Sequence, residues 1–153
     1  MRKVRTLVTI VGVLGALVAT NASAQRGMRW RGSGGWGPGS DYGRMYDPKT
    51  VTTIGGEVLS VDTFMPSKGM SPGVHLTLKT VEGNVSVHLG PEWYISSQDT
   101  RVGKGDKIEV RGSRITFEGK PAIIAAQITK GNEVLRLRDD NGFPAWAGWR
   151  RRT

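Results

Sequence analysis

The 153-residue sequence contains no cysteine. That absence removes disulfides, thiolate metal sites, c-type haem attachment through CxxCH, and lipid attachment of the lipoprotein kind. Histidine is scarce: His75 and His88 are the only two. No HExxH or GxxxxGK[ST] pattern occurs, so the motifs of zinc hydrolases and nucleotide-phosphate binding are missing. The carboxylates of the central region lie scattered beside Lys or Arg, and none form an evident pair for glycoside chemistry. The sequence therefore points away from an enzyme. Long apolar runs are missing too. The longest, from Leu7 to Ala19 and broken by Thr9, falls short of the roughly 20 residues that a membrane-spanning helix needs.

What is there begins with an export signal. Arg2, Lys3 and Arg5 precede the apolar run, and Ala22, Ser23 and Ala24 follow it, the order of charge, apolar core and small-residue exit that a signal peptidase recognises. Residues 1–24 are expected to be a cleaved signal peptide. The product would be periplasmic or secreted, with no transmembrane anchor after cleavage.

The formal net charge of +9 is unevenly placed. The first 24 residues carry three positive charges. Residues 25–45 hold four arginines against Asp41, and Arg150, Arg151 and Arg152 close the chain. The stretch between is neutral. A neutral domain with basic ends does not present the basic, aromatic-bearing groove that single-stranded nucleic acid requires, so no nucleic-acid partner is expected. Basic ends do suit an envelope protein or an anionic surface.

Residues 25–45 are glycine-rich and show neither helical nor strand periodicity, which predicts a flexible leader containing Trp30 and Trp36. Residues 46–149 are expected to form one domain, followed by a basic tail at 150–153. Within the domain, residues 50–62 form a long strand with Gly55-Gly56 as a bend. Residues 74–79 and 84–89 then alternate apolar and polar. A turn at Glu82-Gly83 sets Thr77 opposite His88, with His75 on the diagonal and both imidazoles on the solvent-side face. Pro91 opens a short helix. Residues 107–112 form a fourth strand, the apolar run 122–128 a fifth buried on both faces, and 133–138 a short last one.

Three strands, one short helix between strands 3 and 4, and two or three further strands is the element order of a small all-β OB-fold-like Greek-key barrel. An open β-sandwich of six or seven short strands competes with it. The segments GEVLSVD (56–62), GVHLTLKT (73–80), VHLGPEWYI (87–95), GDKIEVRGS (105–113), AIIAAQI (122–128) and LRLRDDNGFPAWAGW (135–149) together resemble a group of periplasmic bacterial OB-fold proteins, similar also to the domain of the magnetosome proteins MamS and MamX. The resemblance implies the fold, export and association with the cell envelope. It implies no haem here, because the CxxCH motifs that MamX carries are missing.

One constellation could carry chemistry. His75 and His88 on neighbouring strands, with Met70 on the loop before them and Met65 beside it, combine imidazole and thioether donors that suit copper as Cu(I). The leading expectation is a non-catalytic periplasmic binding or adaptor domain needing no cofactor. The alternative is a copper-binding accessory protein using His75, His88 and Met70.

Overall fold

The computed structural model describes residues 34–147, all within the compact unit Ser33–Thr153. The expected signal peptide, Trp30 and the terminal arginines lie outside the described residues.

Six strands form one sheet: β1 (Val51–Phe64), β2 (Gly73–Thr80), β3 (Gly83–Pro91), β4 (Lys107–Phe117), β5 (Lys120–Lys130) and β6 (Glu133–Arg136), with a single-turn helix α1 (Glu92–Ile95) between β3 and β4. β1 is long enough to serve two partners. Its first half pairs with β4 and its second with β2, and Glu57 at the handover pairs with both Lys107 and Lys79. Beside it Gly56 lets β2 come close, since a Cβ there would run into the Lys79 carbonyl. The break in register lies just beyond, between Val58 and Ser60, rather than at the glycines.

The strand order is β3-β2-β1-β4-β5-β6, and it corrects the expectation of a five-stranded OB-fold-like Greek-key β-barrel. In such a barrel the outer edge of β5 would belong to β3 along its length. Here that edge is divided. Ser86, Val87 and His88 of β3 meet Ala122, Ile123 and Ile124 in a short parallel ladder, while β6 takes residues 127–130. The result is a strongly coiled six-stranded sheet with one parallel seam. Because β6 is the short strand that the sequence left as optional, the competition for that edge was not visible in the pattern.

Alternation did locate the core. Leu76, Leu78, Val87, Val110 and Ile128 are buried on the concave side of the sheet, and residues 122–126 are buried on both faces. The hairpin register differs from the expected one: Thr80 pairs with Gly83, so the turn is Val81-Glu82 and His75 stands directly opposite His88. The slip is two residues in total. It preserves which face each side chain takes.

The expected flexible leader is also corrected, for residues 34–45. Gly34 and Gly35, with φ of 57° and 88°, fold the chain against Ser71 and Met70. Trp36 then lies flat over Gly73, where a Cβ would collide with its ring, and Tyr42 and Tyr46 follow it inward. The Trp36 indole donates to the Ser71 carbonyl (2.9 Å), and Trp146 covers Gly90 while donating to the Trp36 carbonyl (2.8 Å). A glycine-rich composition here supplies close contacts rather than freedom. Two aromatics carry enough apolar area to offset the ordering of a dozen residues only in part. The hydrogen bonds and the capping turn at Asp47, whose carboxylate accepts from the Lys49 amide, complete the docking.

Arg138 is buried at the same end, stacked 5.0 Å over Trp146 and 5.8 Å over Tyr46. One guanidinium nitrogen donates to the Gly142 carbonyl (3.0 Å), but Nε has no partner. Burial lowers its pKa from the usual arginine range. A buried cation with an unsatisfied donor is expensive. Arg138→Met, which keeps the stem and removes the charge, is therefore expected to leave the chemical-denaturation midpoint unchanged or raise it. A clear loss in that measurement would show that the stacking outweighs desolvation.

Candidate functional site

On the convex side of the β2–β3 hairpin a cavity of about 360 Å³ is lined by Phe64, His75, Ser86, His88, Phe117, Glu118, Lys120, Pro121 and Ala122. Its size falls at the small end of the range for ligand pockets. A larger groove of about 470 Å³ runs past Glu57, Lys107 and Glu109 at the other end of the sheet, but its charges alternate along strand edges and do not converge.

Each wall has a local cause. His75 and His88 face each other across the β2–β3 ladder, their ring centroids 6.3 Å apart and their planes nearly perpendicular. Phe64, at the end of β1, packs 5.0 Å from His75 and 4.5 Å from His88. Phe117 packs 4.8 Å from His88 and 6.1 Å from Phe64, so the two rings form one continuous wall. Between β4 and β5 the chain reverses through Glu118-Gly119, both at positive φ (51° and 78°). Such a turn prefers Asn, Asp or Gly at its first position. A glutamate held there, at a cost of about 1 kcal/mol, lines the cavity together with Lys120.

The expectation that neither histidine is deeply buried is corrected for His88, which is 2% exposed because Tyr42 roofs it. The Tyr42 hydroxyl and His88 Nδ1 share a hydrogen bond of 2.8 Å. Either group can donate, according to the imidazole tautomer. Burial, helped by the nearby His75, pushes the His88 pKa down to about 4, so the ring is neutral at physiological pH. Burial also pushes the Tyr42 phenol well above its ordinary value. His75 is half-buried, with Nδ1 at 3.4 Å from the Ser86 hydroxyl.

Of the three expected metal ligands, the structure brings two together. Met70 is buried against Gly35 under the docked leader, and Met65 is exposed. Among the described residues no group of three or more His, Cys, Asp or Glu is placed to hold a metal ion. The participants that sequence reasoning missed are Tyr42, Phe64 and Phe117. Nothing in the sequence separates the two phenylalanines from ordinary packing residues, and Tyr42 lies in a stretch with no periodicity. Among the described residues, no helix is long and apolar enough to cross a membrane.

Residues 50–135 match the model of the MamS/MamX magnetosome protein family. The match runs from the residue before β1 to the penultimate residue of β6, so it includes both histidines and omits the docked leader with Tyr42. No match was found among curated proteins.

Proposed function

Since the chain belongs to the MamS/MamX magnetosome protein family, we propose that it is an exported, non-catalytic binding domain of the cell envelope that uses the histidine cavity as its recognition site. The observation that carries this reading is the cavity itself. Two aromatic rings and a neutral buried imidazole converge there with Ser86, Glu118 and Lys120, which is the make-up of a site that binds. The charge, apolar core and Ala22-Ser23-Ala24 order supports export. Ser86 Oγ stands 3.4 Å from His75 Nδ1, at the outer limit of a hydrogen bond, and neither a cysteine nor a second carboxylate beside Glu118 lines the cavity, which supports binding without turnover.

The lack of cysteine makes the test direct. A Lys120→Cys variant carrying an environment-sensitive fluorophore reports the cavity rim, and Val81→Cys at the fully exposed hairpin tip serves as control. Periplasmic extract from the source cell is expected to shift the emission of the first and not the second. Equal responses, or none from position 120, would overturn the cavity as the recognition site.

A further inference from the structure

We propose that the histidine cavity holds a soft monovalent d10 metal ion, Cu(I) or its redox-inert analogue Ag(I), between Nε2 of His75 and Nε2 of His88. This deepens the reading of the cavity as a binding site and rests on it.

The geometry argues as follows. Nδ1 of His88 is occupied by Tyr42 at 2.8 Å and Nδ1 of His75 lies nearest Ser86 at 3.4 Å. Each ring therefore has one nitrogen tied to a hydroxyl, the arrangement by which an outer partner orients a ligating imidazole and leaves the other nitrogen for the metal. With metal–nitrogen bonds of about 2 Å, an ion lies roughly 3 Å from each ring centre. A linear two-coordinate ion then spans rings about 6 Å apart, and the observed separation is 6.3 Å. A tetrahedral site would draw the rings closer together and would need two more donors.

The surroundings select the ion. Zinc takes three or four protein ligands, and among the described residues no third His, Cys, Asp or Glu joins the pair. Among metals in ordinary biological use, linear two-coordination is characteristic of Cu(I), which Ag(I) mimics. The aromatic wall beside the pair, Phe64 and Phe117, favours the lower charge, because a divalent ion loses far more hydration against apolar rings. Met70, packed under Gly35, is not needed.

Titration of the purified chain with silver nitrate, followed by calorimetry and by nitrogen NMR of the histidine rings, tests this. The expected result is one equivalent bound, with Nε2 of both rings moving to the metal-bound range and Nδ1 of both carrying the proton. Zn(II) should bind at least about tenfold more weakly. His75→Ala, at the half-buried position, removes one of the two ligands and should weaken Ag(I) more than about 100-fold, beyond the cost of losing only an outer partner of a ligand. Met70→Leu should stay within about twofold. A silent pair of rings, an unaffected His75→Ala, or zinc binding as tight as silver would each overturn the proposal. If silver fails while the Lys120→Cys fluorophore still responds to extract, the cavity remains a recognition site and only its metal is wrong. If both fail, the site itself is wrong.

Discussion

Trp36→Ala is expected to destabilise the domain by about 3–5 kcal/mol, the range for removing a fully buried tryptophan. The ring is 1% exposed and meets Tyr42, Phe64 and Trp146 edge to face at 5.0, 6.2 and 6.3 Å. Its loss opens a cavity over Gly73 and leaves the Ser71 carbonyl without the indole donor. Domains of this size hold only about 5–15 kcal/mol in total, so the melting temperature should fall by roughly 10–20 °C. A residue in a mobile leader would cost under about 0.5 kcal/mol. Thermal denaturation separates the two cases, and an unchanged midpoint would mean that residues 34–45 are not part of the folded unit.

Acid should weaken the metal-free protein through His88. Its pKa is about 4 when folded against the ordinary histidine value of 6.5, so between these two values the unfolded chain binds more protons than the native one. Stability is then fully present above about pH 6.5 and declines as pH falls, with about 3 kcal/mol gone by pH 4. The groups facing His88 are Tyr42 from the leader, whose phenol stays protonated throughout, and His75 from β2, whose charge opposes a second one. Glu118 and Lys120 line the same cavity from the β4–β5 turn. His88→Gln keeps a hydrogen-bonding group toward Tyr42 and does not titrate. Urea midpoints at pH 7.5 and 4.5 should differ strongly for the native protein and much less for this variant. Equal pH dependence in both would place the acid sensitivity elsewhere.

How much of this was legible in the sequence depended on what each pattern encodes. Strict alternation along β2 and β3 fixed which side chains share a face. For that reason His75 and His88 met even though the turn was placed one residue late: moving it to Val81-Glu82 changes the pairing sum by two and leaves every face unchanged. Burial of His88 could not be read, because what buries it comes from elsewhere in the chain. Tyr42 lies 46 residues away in a stretch whose glycines mimic a linker. In that stretch the informative residues were Gly73 and Gly90 on the strands beneath. A glycine in a strand signals close approach of something bulky, and at these two strand ends the bulky groups are tryptophans. The extent of the sheet was harder still. Whether β3 or β6 takes the free edge of β5 depends on strand length and coil, and four residues of β6 suffice to claim it.

The bond from the Trp146 indole to the Trp36 carbonyl joins positions 110 residues apart, near the first and last described residues of the fold. Mechanically, the two ends are latched to each other. A force applied between residues 34 and 147 would load that bond together with the anchors of Gly34 and Trp36 on Ser71 and the Ala145 amide bond to the Leu137 carbonyl before it reached the main strand ladders. The first event would be release of the two rings from their glycine platforms, with the sheet intact and the roof over His88 lifted. The domain would yield under tension in two stages, and the weaker stage would open the cavity.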